Sequence, residues 1–312
     1  MASSSSGNVD LIVSKVQEIY LQTIRRYPVV RSPPEMLKYL RDYFKLVVKP
    51  HVVYLTVAAF LNNRPVLFEG PPGTGKTEIG EAILSLWSGK SAFVLPCSEN
   101  YDEYRVIGDF HPAMAVSKGF NEESFIPRPL LAAMILGAGV LIDDIRRSSE
   151  EFQNMLLDII DKRRIIIPEL KKVYYQKDEG FQIILTSNPY DIGQGELSDA
   201  FLRRVVRIEF KYPSLEEELE IIKLRLGDLA KRLDPKLVEE ALSIVRTLRQ
   251  KAVYKPGVSD SVMWMTLTSL LAEIRGLEKA GREELVEAGR VVLLKNPEDE
   301  DLINELLPAR ER

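Results

Sequence analysis

Apolar residues recur along the chain with two different periods. Near the start, Leu11, Val16, Ile19, Tyr20 and Ile24 fall at helical spacing and predict a helix over about Asp10 to Arg26. Arg31-Ser32-Pro33-Pro34 interrupts it, a second helical stretch runs from Met36 to Lys45, and Leu55 to Phe60 continues apolar. Beyond that point short, largely apolar runs appear: Pro65 to Glu69, Ala92 to Leu95, Gly139 to Ile142, Phe181 to Leu185 and Val205 to Phe210. Helical stretches lie between them. One covers Glu78 to Trp87. Another opens at Ser148, with Glu151 completing a capping box and Phe152, Met155, Leu156 and Ile159 on one face. Apolar strands separated by helices predict a parallel sheet covered on both faces.

After Tyr212-Pro213 no strand pattern follows. Ser214 and Glu217 form a capping box for a helix to about Leu226, and Asp234-Pro235 opens another to about Lys251. A third is expected from Ser259 to Leu277, and a fourth begins near Gly281-Arg282. The expected organisation is an N-terminal helical segment over residues 1–50, an α/β core over 51–212 and a small all-helical domain over 213–312.

A chain of 312 residues is long enough for about two domains. Its content, 45% hydrophobic and 28% charged, is that of a soluble globular protein. A formal net charge of -4 gives no overall field favouring nucleic acid or an anionic membrane. Locally, Lys162-Arg163-Arg164 and Lys171-Lys172 make a basic stretch, for which solvated charge is the default reading. The single cysteine, Cys97, leaves no internal disulfide and reads as a small core residue. Two histidines, His51 and His111, are too few for a histidine-rich metal site. Trp87 and Trp264 read as core, and Pro297-Glu298-Asp299-Glu300-Asp301 as an acidic linker or helix cap. No apolar run reaches bilayer-spanning length, so no membrane insertion is expected. Met1 to Gly7 lacks the regions of a signal peptide and reads as a disordered tip; the expected location is the cytoplasm.

Against this background one stretch changes the picture. Gly70-Pro71-Pro72-Gly73-Thr74-Gly75-Lys76-Thr77 fits the phosphate-cradling pattern G-x-x-x-x-G-K-[ST] at every fixed position, between a short strand and a helix that opens with Glu78. Glycines let successive N–H groups turn inward toward anionic oxygens, and the helix N-terminus adds its dipole. Lys76 would reach the β- and γ-phosphates and Thr77 would hold Mg²⁺. A Gly/Pro-rich surface turn would look similar, but would not need the flanking strand and helix. Val140-Leu141-Ile142-Asp143-Asp144 ends an apolar strand in two acids. Such a pair is often a turn or cap. Downstream of Lys76 at βα spacing, Asp143 suits Mg²⁺ and Asp144 suits orienting or deprotonating the attacking water. Thr186-Ser187-Asn188 ends the next strand, where Asn188 can reach a γ-phosphate or the water, unless Asn188-Pro189 is only a turn.

Together these residues resemble an AAA+ ATPase, and more narrowly the MoxR branch of its helix-2-insert group. Phe125-Ile126-Pro127-Arg128-Pro129-Leu130 resembles that branch's F-x-P-G-P-L, and Leu141 to Arg147 resembles L-x-D-E-I-N-R. Gln153 to Leu157 with Ile165 to Pro168 resembles Q-x-A-L-L-E-A-M…V-T-I-P, and Glu196 to Arg204 resembles L-x-E-A-L-L-D-R-F. The likeness runs from about Val52 through the helical domain. It implies a P-loop NTPase sheet sandwiched by helices, followed by a small helical lid, with ATP and Mg²⁺ as cofactors. Carried over by position, Lys76 and Thr77 bind phosphate and Mg²⁺, Asp143 is the metal-side acid, Asp144 the catalytic acid, Asn188 sensor 1 and Arg204 the arginine finger. Gly108 to Phe125 would hold the helix-2 insert and Arg164 to Tyr175 a pre-sensor hairpin, both facing the axis of a ring. The chain departs from the family at Asp144, where a glutamate is usual, at Ser261, the sensor-2 arginine position, and at Arg146, often asparagine. Lys255 is a substitute cation for the lid.

The resemblance implies a homo-oligomeric, hexameric ring that remodels or assembles a separate client protein, one with a von Willebrand factor A domain in many relatives. Two alternatives belong to other classes: a nucleic-acid-stimulated motor or loader using the basic hairpin, and a nucleotide-dependent scaffold that hydrolyses little.

Overall fold

The computed structural model of the chain describes residues 10–99, 102–189 and 195–308; the Met1 to Gly7 tip expected to be disordered lies outside the described residues. The chain divides into two units. The first takes the described parts of Met1–Lys38, Lys49–Glu69 and Thr77–Glu209, and the second those of Tyr39–Val48, Gly70–Lys76 and Phe210–Arg312. Each is a folded body with its own apolar core.

Helices α1 (Leu11–Tyr20), α2 (Pro33–Asp42) and α3 (Pro50–Leu61) precede strand β1 (Val66–Glu69). Then follow α4 (Lys76–Ser88), β2 (Phe93–Pro96), α5 (Glu103–Val106), β3 (Gly108–Phe110), α6 (Pro112–Lys118), β4 (Phe125–Pro127), α7 (Pro129–Leu136) and β5 (Val140–Asp143). Next come α8 (Glu150–Lys162), β6 (Arg164–Ile167), β7 (Lys172–Tyr175), β8 (Ile183–Ser187), α9 (Asp199–Leu202) and β9 (Val206–Glu209).

Five of these strands form one parallel sheet in the order β2-β5-β8-β1-β9. This is the α/β arrangement that the alternating apolar runs predict. Nearly every position of the central strands β1, β5 and β8 is buried, as a sheet covered on both faces requires, whereas the edge strands β2 and β9 each bury one position in four. The parallel register pairs Glu69 with Ser187, so the carboxyl ends of β1 and β8 lie side by side. Two antiparallel hairpins stand apart from the sheet: β3 with β4, carrying α6 between them, and β6 with β7.

Helix α1 is tied to both hairpin regions. Asp10 caps it, accepting from the backbone N–H of Ile12 at 2.9 Å and Val13 at 3.2 Å. The same carboxylate accepts from Lys172 Nζ at 2.9 Å and from the Tyr174 hydroxyl at 3.1 Å. Burial opposes the charge of Asp10, but Lys172 and the Val13 N–H hold its carboxyl below the ordinary range. One turn on, Lys15 Nζ donates to the carbonyls of Glu122 at 2.8 Å and Phe125 at 2.9 Å.

The second unit is helical: α10 (Leu215–Leu226), α11 (Pro235–Lys251), α12 (Val258–Ile274), α13 (Arg282–Leu293) and α14 (Glu300–Leu306). Its core surrounds Trp264, fully buried, whose indole N–H donates to Leu285 O at 2.8 Å. Among the described residues no helix is long and apolar enough to cross a membrane.

Three local expectations shift, and a fourth is resolved between its alternatives. Helix α1 stops at Tyr20, well short of Arg26, which instead forms an isolated antiparallel bridge with Lys90. Helix α8 is capped by Ser149, whose hydroxyl accepts from Phe152 N at 3.2 Å; Ser148 instead donates to Ile145 O at 2.7 Å, closing the 3₁₀ turn Ile145–Arg147. Helix α12 ends at Ile274 rather than Leu277, where Gly276 takes a left-handed φ of 69°. For the acidic stretch near residue 299, the helix-cap alternative holds, with Asp299 at the N-cap position of α14. Asp299 is buried, accepts from Val253 N and Tyr254 N at 2.7 and 2.8 Å, and leads into α14.

Candidate active site

Gly70–Lys76 belong to the second unit and Thr77 to the first. In the second unit, Gly73 and Gly75 take φ of 68° and 84°, the left-handed region that only glycine adopts freely. Lys76 is buried and its ammonium donates to the loop's own carbonyls, Gly70 O at 2.9 Å and Pro71 O at 2.7 Å. Thr74 Oγ1 donates to Pro71 O at 2.9 Å, tightening the same turn. Pro72 and Glu78 are exposed. Backbone packs closely here: a Cβ on Gly70 would lie 2.2 Å from Phe210 O, and one on Gly73 would lie 2.6 Å from Gly257 Cα. Val258 N, at the first turn of α12, donates to Gly73 O at 2.7 Å. The start of α12 is thus bonded directly to the loop.

In the first unit, Thr77 and Asp143 come together. Thr77 Oγ1 donates to Asp143 Oδ1 at 2.7 Å, and Thr186 Oγ1 donates to the same oxygen at 2.6 Å. Thr186 Oγ1 in turn accepts from Asp144 N at 2.9 Å, so one hydroxyl joins the ends of β5 and β8. The backbone of Asp144 is left-handed, φ 54° and ψ 53°, a region in which aspartate and asparagine are enriched among non-glycine residues. Its carboxylate is about one-third exposed and stands 3.4 Å from Arg147 Nε. Asn188 follows β8 directly and is half-buried. One carboxylate and one hydroxyl are a donor set that fits Mg²⁺, which keeps several waters and takes substrate phosphate oxygens. No group of three or more His, Cys, Asp or Glu gathers for a metal among the described residues.

Arg204 lies away from this cluster. Its Nε donates to both carboxylate oxygens of Asp161, at 2.9 and 2.8 Å, and one terminal nitrogen donates to Ala200 O at 2.8 Å. Arg203 beside it is exposed.

Several charged residues emerge only in three dimensions. Glu69, the last residue of β1, is 2% exposed and pairs with Arg146 at 3.0 Å and with Arg207. A charge ending an apolar strand beside the phosphate loop was the available signal for Glu69. Within the second unit, Glu218 is fully buried and takes a two-pronged bond from Arg249, at 2.9 and 2.7 Å. Ser261 donates to Glu218 at 2.7 Å, so the serine that stands at the family's sensor-2 position is sealed into a buried polar cluster. Lys255 is exposed and bends to Gln250 O at 3.3 Å. Cys97 is buried, its N–H donating to Asp143 O at 2.9 Å. Burial, with Asp143 and Asp144 nearby, pushes its thiol up to about 12.

Residues 65–205 match the family described as AAA domain, dynein-related subfamily. The chain is 29% identical over 184 residues to YehL of Escherichia coli (strain K12), covering 57% of this chain and 50% of that protein. It is 25% identical over 247 residues to protein CbbQ of Hydrogenophilus thermoluteolus, covering 78% and 85% respectively. To the gas vesicle ATPase GvpN of Ancylobacter aquaticus it is 25% identical over 229 residues, covering 68% and 62%. The match therefore spans half the length of YehL.

Proposed function

We propose that this chain, an AAA+ protein of the MoxR type, binds Mg²⁺-ATP on Gly70 to Glu78 and hydrolyses it to drive the remodelling or assembly of a separate protein complex. The observation that carries the reading is the 2.7 Å bond between Thr77 and Asp143. It joins the last residue of the phosphate-loop pattern to the acid at the end of β5, the two groups that would share a magnesium ion. Bound there, Mg²⁺ would neutralise charge on the transferring phosphoryl group. Lys76 would exchange its bonds to Gly70 and Pro71 for phosphate oxygens. Asp144, with its backbone fixed by Thr186, would orient the attacking water, and Asn188 would hold the water or the γ-phosphate. Arg204 would leave Asp161 to complete the site of a neighbouring copy, which calls for a ring, expected to be hexameric. Residues 213–312 would serve as the lid.

The proposed client is a separate protein, with a von Willebrand factor A domain as the leading candidate, and the proposed location is the cytoplasm. One relative, GvpN, is named a gas vesicle ATPase. The test is equilibrium binding of Mg²⁺-ATP and phosphate release by the intact chain and by Lys76→Ala. Binding that disappears in Lys76→Ala supports the assignment; equal affinity in both rejects it. A second reading, a nucleotide-dependent scaffold with weak hydrolysis, draws on Ser261, a serine bonded to Glu218 at the lid position where the resemblance implies an arginine. Nucleotide-dependent assembly without measurable turnover would favour it. Stimulation of hydrolysis by DNA or RNA would favour a nucleic-acid motor.

A further inference from the structure

Arg146 follows the end of β5 by three residues, and its guanidinium reaches three separate segments of the first unit. Nε donates to Ser187 Oγ at 2.8 Å, one terminal nitrogen donates to Glu69 at 3.0 Å, and the other makes a longer 3.5 Å contact to Gly195 O. Its own carbonyl accepts from Gly195 N at 3.0 Å. Two of the three targets border a residue with a proposed chemical role. Glu69 immediately precedes Gly70, Ser187 immediately precedes Asn188, and Gly195 begins the described segment leading to Arg204.

We infer that Arg146 is a positioning residue for ATP hydrolysis: its planar guanidinium pins the carboxyl ends of β1 and β8 together and thereby sets the place of Asn188. The inference rests on the nucleotide-site reading above. Three features favour it over a plain buried ion pair. Glu69 already has Arg207 as a second cation, so charge balance alone does not call for Arg146. Ser187 is fully buried and neutral, so a bond from Arg146 to it adds direction rather than charge. The geometry uses different nitrogens of one rigid fork, which a lysine ammonium, a single point charge on a flexible stem, does not reproduce.

Arg146→Lys keeps a cation near Glu69 and removes the fork. Ser187→Ala keeps the ion pair and removes only the link to β8. Both are made in the full chain and compared with wild type by backbone amide exchange without nucleotide, by Mg²⁺-ATP affinity, and by single-turnover hydrolysis at saturating ATP. Exchange in the peptide covering residues 187–189 is expected to rise by about tenfold or more in both variants, with the remainder of the sheet unchanged. Hydrolysis should fall by about a hundredfold, as for a misplacement of roughly 1 Å, while affinity stays within about threefold. Unchanged exchange at residues 187–189 overturns the inference, and so does a uniform rise across the first unit, which marks a merely structural role. Faster local exchange with wild-type turnover also overturns it. A wild-type chain that neither binds nor hydrolyses ATP refutes the nucleotide reading instead, and the exchange measurement then decides by itself whether Arg146 fixes the end of β8.

Discussion

Replacing Asp144 by glutamate tests whether the shorter acid limits turnover. The added methylene extends the carboxylate by about one C–C bond, roughly 1.5 Å. If that is the distance by which Asp144 falls short of the water, its misplacement costs about a hundredfold in rate. That factor equals about 2.7 kcal/mol of barrier. Two effects oppose the substitution. Asp144 is left-handed, and a longer side chain loses up to about 1 kcal/mol there relative to aspartate. The pair with Arg147, at 3.4 Å and partly exposed, is worth at most about 1 kcal/mol. Neither penalty approaches the expected gain, because both act on stability whereas the gain acts on the transition state. Asp144→Glu should therefore melt a few degrees lower, bind Mg²⁺-ATP as before, and release phosphate up to about a hundredfold faster in single turnover. Asp144→Asn supplies the baseline, since it keeps the backbone preference and removes the charge. A glutamate variant no faster than wild type refutes the reasoning and means that the site is built around the shorter acid. An asparagine variant with wild-type turnover removes Asp144 from the chemistry altogether.

Arg204→Ala should bind ATP nearly normally yet lose about a thousandfold or more in hydrolysis, as for an arginine supplied in trans. Mixing it with Lys76→Ala should restore part of the activity, and no recovery in assemblies shown to hold both chains would refute the trans role. Gly257→Ala introduces a Cβ 2.5 Å from Gly73 Cα, which the backbone must shift to admit. It should destabilise the second unit by about 1–3 kcal/mol in thermal denaturation, and unchanged stability would contradict the close approach. The Cys97 thiol is raised from 9.0 to about 12 in the fold, so its neutral form contributes stability that is complete below pH 9 and is lost as pH rises toward 12. Wild type should lose stability relative to Cys97→Ala across that window, by up to about 1.4 kcal/mol per pH unit, and parallel pH profiles would refute the assignment.

What could be read from sequence follows from how local each cause is. β1, β5 and β8 are nearly continuous apolar runs because both faces of the sheet are covered, so their order of appearance and parallel character are visible in one dimension. The capping box of α10 is also local, and Ser214 and Glu217 exchange both bonds as their spacing predicts. The choice between Ser148 and Ser149 is not, since either serine could cap α8 until the 3₁₀ turn at Ile145–Arg147 takes the first. Glu218 sits in an acidic run that reads as solvated, and only the arrival of Arg249, 31 positions later, makes its burial tolerable. At the site, the pattern residues Lys76, Thr77, Asp143 and Asp144 stand out by spacing. Thr186 and Arg146 are noticeable in the sequence, but the bonds they make arise only once the ends of β5 and β8 are brought side by side.

The bonds that hold α1 also impose a schedule on synthesis. Ten residues are too few for a helix to persist alone in water, and the side chains that engage Asp10 lie 162 and 164 positions further on. At roughly 5 to 20 residues per second, a ribosome needs about 8 to 30 s to reach them. Ile12 and Val16, fully buried in the finished fold, share a core with β4 and α7, which are made before Lys172, so the apolar face can be covered before Asp10 finds its partners. Helix α1 is therefore fully tied down only once Lys172 and Tyr174 have emerged, long after its own residues are made.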